Sequence, residues 1–244
     1  MDGSDLAALT LAAYLTATLS AIVGMAGGLV LLTILLLYLD PLVAIPLHGA
    51  IQLISNGTRS VIQRRHVRWR LVWRYGLLMV PTSLAGLSVA RVLAPGLTRR
   101  LIGGFVLLAT WRPGWLTLGT HPERVRPERR FILLGAVVGF LQMTIGATGP
   151  LIAPFFLNLG LDRRGVVGTK AAAQTLGHSI KILVFGAFGF AYRDHALLLV
   201  CMCAGVVAGT WTGSRLLERV SEAQFRLLFK TVLTLIALRL VLAG

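Results

Sequence analysis

In each half of this chain a set of basic, imidazole and amide side chains recurs at helical spacing inside an apolar stretch, and their chemistry suits an anion. Lys170, Gln174, His178 and Lys181 stand at intervals of four, four and three residues, which places them in one stripe on an α-helix. An offset of 122 residues carries this set onto His48, Gln52, Asn56 and Arg59. Such groups donate hydrogen bonds to an anion, and among them only histidine titrates near neutral pH. The chain holds three lysines against 21 arginines, so two lysines on one stripe stand apart from the loop arginines. Each residue also has a plainer reading. Lys181 and Arg59 could snorkel to an interface, Lys170 lies near its helix start, Gln52 and Gln174 could serve interhelical hydrogen bonding, and His48 and His178 could be satisfied core histidines. The pairing across the two halves favours a shared substrate site.

The nine acids, Asp2, Asp5, Asp40, Glu123, Glu128, Asp162, Asp194, Glu218 and Glu222, are all terminal or near helix ends. Intramembrane hydrolases with paired aspartates and pumps with buried acidic relays need an acid at depth, so neither class fits. Cys201 and Cys203 lie two apart in an apolar run and point to different faces. They form neither a CxxC pair nor a metal site, and no metal or other cofactor is expected.

These stripes need elements to position them. Leu6 to Leu39 is free of charge for 34 residues and Phe131 to Leu161 for 31, too long for one span of about 20 residues and too short for two with a turn. A helical hairpin that enters part-way fits both. The breaks fall at Gly24, Gly27 and Gly28 in the first copy and at Gly146, Thr148, Gly149 and Pro150 in the second. Glycine tolerates the turn, and proline suits a first helical turn with Thr148 or Gly149 as its cap. The returning arms then aim their N-termini, near Gly28 and Pro150, at the bilayer midplane, where free N–H groups attract negative charge. The carbonyl ends of the entering arms would suit a cation such as sodium. Close helix packing alone is the plainer reading of these glycines.

With 56% hydrophobic and 14% charged residues, against about 25% charged in soluble domains, the chain reads as an all-α, multi-pass membrane protein. Its +15 charge comes from arginines between apolar runs, which anchor loops at the lipid surface, and nucleic acid is not an expected partner. Met1 to Asp5 carry two acids and no base, unlike a cleavable signal. The expected organisation is a first repeat over 1–112, a cytoplasmic linker over 113–130 and a second repeat over 131–244. Three spanning helices follow each hairpin: Val43–Gln63, Leu71–Leu93 and Leu97–Trp111, then Val166–Ala191, Ala196–Leu217 and Phe225–Leu242. If both hairpins return to the side they entered, the halves are inverted and 15 arginines face the cytoplasm against five outside. Single crossings would give a weaker split of 12 against eight. Trp69 and Trp73 read as interfacial anchors.

VGMAGGLVLLTILLLYLDPLVAIPLHGAIQLISNGTRS in the first half, IGATGPLIAPFFLNLGLDRRGVVGTKAAAQTLGHSIK in the second and the basic loop RRHVRWR make the chain resemble the TauE/SafE family of membrane permeases. The resemblance covers nearly the whole chain. It implies a carrier in the bacterial inner membrane that exports sulfite or a small organosulfonate. Where that family commonly has a fuller glycine run, Ala26 and Thr148 stand here. The expected activity is transport of a small anion by alternating access, without enzymatic chemistry. A passive anion channel is the alternative, followed by an enzyme acting on lipid-linked phosphate. Coupling to protons through His178, coupling to sodium, and a homodimer by analogy with similar carriers all stay open.

Overall fold

The structure, a computed structural model, describes residues 3–23, 27–117, 127–157, 159–216 and 222–243. Gly24 of the first break, residues 118–126 of the linker and Arg219 fall outside these. Eleven α-helices are described: α1 (Gly3–Val23), α2 (Gly27–Tyr38), α3 (Pro41–Ile62), α4 (Trp69–Gly76), α5 (Met79–Val92), α6 (Pro95–Trp111), α7 (Pro127–Thr144), α8 (Gly149–Leu157), α9 (Arg163–Ala187), α10 (Ala196–Leu216) and α11 (Glu222–Ala243). Short 3-10 turns lie at Arg64–His66, Pro113–Thr117 and Tyr192–His195, and no strand occurs among the described residues.

The paired helices α3 and α9 start for local reasons at equivalent aspartates. Asp162 is the N-cap of α9, its carboxylate accepting from Gly165 N at 2.9 Å, which satisfies one of the free N–H groups there. Asp40 holds the same place before α3 but makes no side-chain cap, and Pro41 follows it in the first turn. Its carboxylate pairs instead with Arg99 at 3.0 Å, a largely exposed contact worth under about 1 kcal/mol.

Helix lengths decide what the arms can do. α1 has 21 residues and α2 has 12, while α7 has 18 and α8 has nine. At 1.5 Å per residue α2 and α8 reach about 18 and 14 Å, well short of a hydrocarbon core of about 30 Å. α8 doubles back along α7. The Phe131 and Phe156 rings meet edge-on at 4.9 Å, and Arg130 Nη2 donates to Phe155 O at 3.3 Å. The start of α7 and the end of α8 therefore lie at the same end of the bundle. The backbone reverses at Gly146, whose φ of 85° only glycine adopts without strain.

Three expectations need correction. Leu71–Leu93 is not one helix but α4 and α5, bent by 43°. Pro81 in the first turn of α5 lacks an N–H, and its ring excludes a helical carbonyl at Leu77. The linker ends earlier than 130, because α7 begins at Pro127. Arg130, expected at a cytoplasmic loop, is 7% exposed and set against α8. Its guanidinium carbon lies 5.7 and 5.9 Å from the centres of the Phe131 and Phe155 rings.

Among the described residues one uninterrupted stretch, Tyr192–Gly213, is both long and apolar enough to cross a membrane alone, and the bent pair α4 and α5 qualifies jointly. α3 and α9 have the length, 22 and 25 residues, but carry the polar stripes that lower their hydropathy. Apolar side chains also cover the outside. Leu197, Val200, Val207 and Trp211 are exposed along α10, as are Trp69 and Trp73 on α4, a surface suited to lipid.

Helix directions follow from who touches whom. Gly49 lies against the Lys181 side chain and Gly168 against Gln63, so α3 and α9 run antiparallel. α6 and α11 do likewise, with Gly103 against Ala237 and Trp111 Nε1 donating to Thr234 Oγ1 at 2.9 Å. α1 and α10 are parallel, Gly205 meeting the Thr10 carbonyl and Gly209 that of Tyr14. The bent pair α4 and α5 runs parallel to α7, with Gly135 against the Tyr75 carbonyl and Gly139 against that of Met79. Each entering arm thus packs on a helix of the other half, and the stripe-bearing helices face each other across the centre.

Candidate functional site

The antiparallel contact of α3 with α9 brings the two stripes onto one cavity of about 50 Å³. Its wall takes His48, Gln52, Asn56 and Arg59 from α3, Lys170, Gln174 and His178 from α9, and Gly28, Thr148, Gly149 and Pro150 from the two breaks. That volume holds a small solute and is far below the roughly 300 Å³ or more of sites for drug-sized ligands. Among the described residues two cations line it, Arg59 and Lys170, and no carboxylate does.

Each glutamine sits at the start of a returning arm. A Cβ at Gly28 would fall 2.8 Å from Gln52 Nε2, so only a glycine lets that amide reach the first turn of α2. Gln174 Nε2 stands at the matching place on α8, 3.6 Å from where a Cβ on Gly149 would lie. Gln52 Oε1 accepts from Asn56 Nδ2 at 3.3 Å, which turns its own Nε2 toward the break. Helix N-termini and amide donors therefore converge from both halves. Thr148 precedes α8, its carbonyl accepting from Ile152 N at 3.2 Å, and Pro150 occupies the first turn, where a missing N–H costs nothing.

The remaining groups are held by specific partners. Arg59 Nη2 donates to Ser20 Oγ at 3.1 Å, tying α3 to α1. His48 Nε2 lies 2.8 Å from Gly28 O. Because a carbonyl only accepts, that nitrogen carries the proton. The His48 and His178 rings meet edge-on with centroids 6.0 Å apart. Neither Nδ1 has a protein partner among the described residues.

Lys181 departs from the rest. It is fully buried rather than snorkelling, does not line the cavity, and donates from Nζ to Gly146 O at 2.7 Å. Its methylenes fill the space that a side chain at Gly49 would need. In this arrangement Lys181 braces the second break, and its ammonium occupies the carbonyl where sodium had been an option. Lys181→Met keeps the packing and removes the donor, so the expected loss is about 1–3 kcal/mol from an unpaired buried carbonyl. Thermal unfolding in detergent measures it, and an unchanged midpoint would deny Lys181 this bracing role.

Three polar residues of the wall had no place in the reading of the stripes: Ser20 on α1, Tyr75 on α4 and Gln142 on α7. The repeat offset itself pairs Ser20 with Gln142, a signal that extends from the stripes to the entering arms. Tyr75 has no such signal. It reaches the cavity only because Gly135 lets α4 lie directly on α7.

Comparison with known proteins agrees with this arrangement. A family model described as "Sulfite exporter TauE/SafE" matches residues 9–240. The chain is 26% identical over 241 residues to a Sinorhizobium fredii (strain NBRC 101917 / NGR234) protein named "Probable membrane transporter protein y4hK", covering 95% of this chain and 96% of the relative. No solved structure matches. Since the family match takes in both breaks, both stripes and the cavity they enclose, this chain belongs to the TauE/SafE family of membrane transporters.

Proposed function

We propose that the chain is a secondary transporter that moves a small anion, sulfite or an organosulfonate, across the bacterial inner membrane by alternating access of two inverted halves. One observation carries this reading. Equivalent residues of both halves, Gln52 with Gln174 and His48 with Lys170, enclose one small cavity at two helix N-termini, with cations and, among the described residues, no carboxylate. Antiparallel packing of the equivalent pairs, α3 with α9 and α6 with α11, supports an inverted relation of the halves. Short arms α2 and α8 support hairpins that return to the side they entered. A cavity between such repeats opens to one side and then the other as they rock.

In this mechanism Arg59 and Lys170 draw in the anion, the two glutamines and arm N-termini hold it, and His178 supplies a proton-accepting group for coupling. The Lys181 ammonium on Gly146 O favours protons over sodium as the coupling ion at the second break. The test is flux in proteoliposomes loaded with sulfite. Saturable uptake with counterflow is expected. Unitary currents would replace the carrier by a channel, and no flux of sulfite or any organosulfonate would remove the assignment.

A further inference from the structure

We infer that the cavity takes its anion with a hydroxyl proton attached, and that Gln142 is the residue that reads that proton. The inference rests on the transport reading above and narrows its substrate to small oxyanions bearing an O–H, such as hydrogensulfite.

Gln142 is 3% exposed and lines the cavity from α7. Its orientation is set by a relay that admits one answer. Ser83 Oγ lies 3.1 Å from Gly139 O, and a carbonyl can only accept, so the single hydroxyl proton of Ser83 goes there. Toward Gln142, also at 3.1 Å, Ser83 can then only accept, and the atom facing it must be Nε2. The amide oxygen is left on the other side. It lies 3.0 Å from where a Cβ on Gly177, itself part of the wall, would fall. No donor reaches Gln142 Oε1 among the described residues. Gln142 lines the cavity, so the cavity is the place from which a donor to this oxygen can come.

The wall is therefore not uniform. Amide N–H groups and cations of Gln52, Gln174, Arg59 and Lys170 face the anionic oxygens, whereas Gln142 Oε1 accepts the one proton that such a ligand carries. A fully deprotonated dianion, or an anion with a methyl in place of the hydroxyl, leaves Gln142 Oε1 without a donor.

The test compares hydrogensulfite, HO–SO2⁻, with methanesulfinate, CH3–SO2⁻, the same pyramidal anion with the hydroxyl replaced by methyl. Binding of each to the full chain in detergent is measured by calorimetry at one mildly acidic pH. The wild type should bind hydrogensulfite about tenfold more tightly, the worth of one buried hydrogen bond. Gln142→Met, which removes the acceptor at similar volume, should bring the ratio near one while methanesulfinate binding persists. Ser83→Ala frees the amide to turn and should lower the same ratio, identifying Ser83 as a positioning residue; it serves as the second variant if Gln142→Met unfolds. Equal binding of the two anions by wild type, or an unchanged ratio in both variants, overturns the inference and leaves the transport reading intact. Binding of neither anion, nor of any organosulfonate, overturns both.

Discussion

Leucine in place of Gly135 should leave almost no folded protein. A Cβ at this position would overlap the Tyr75 carbonyl oxygen and lie 2.7 Å from its carbon, both backbone atoms that cannot rotate away. α4 would have to lift off α7, carrying Tyr75 out of the cavity wall and opening the core around Phe131 and Phe156. Overpacking against backbone costs about 3 kcal/mol or more, a large share of a marginal stability. The control is Gly104→Leu on α6, where a Cβ meets nothing within 4 Å, and which should purify like wild type. The yield of monodisperse protein in detergent and its thermal midpoint decide the matter. A Gly135→Leu protein as stable as Gly104→Leu would mean that α4 and α7 do not pack as described.

Gln52→Ala and Gln174→Ala should each lower transport at least about tenfold, and the double variant should abolish it, with little change in thermal stability. Each alanine removes one amide donor that faces the cavity at an arm N-terminus. A hydrogen bond to a charged group is worth about 1.5–3 kcal/mol, or roughly one to two decades in affinity. Stability should hold because both amides are only partly buried, and Gln174 has no protein hydrogen bond to lose among the described residues. Gln52 loses one side-chain contact with Asn56. The two losses should be comparable if the halves contribute equivalently. Transport at the parental rate in both single variants, with membrane levels matched, would sink the site.

Much of the site was legible because its signals are local. Lys170, Gln174 and His178 share a helix face by spacing alone, and the offset of 122 residues predicts that His48, Gln52 and Asn56 do the same. The two breaks were legible from glycine and proline within apolar runs of awkward length. The bend within Leu71–Leu93 is not legible in the same way, because the apolar composition of that stretch outweighs one proline, Pro81, in any pattern of hydropathy. Lys181 read as the last member of its stripe. Its spacing is right, but burial against Gly49 and the bond to Gly146 O depend on α3 and a loop more than 30 residues away.

What the sequence determined by itself is the doubled plan: two polar faces of the same chemistry, two interrupted arms and an interior without acids, all of them periodic along one dimension. Tertiary structure alone decided which faces meet, that α3 and α9 run antiparallel, which way the Gln142 amide is turned, and that Lys181 braces a break instead of lining the cavity. The reason is geometric. Helical period fixes where a side chain points on its own helix, whereas its neighbours follow from close approaches at residues such as Gly135 and Gly49, whose partners lie far off in the chain.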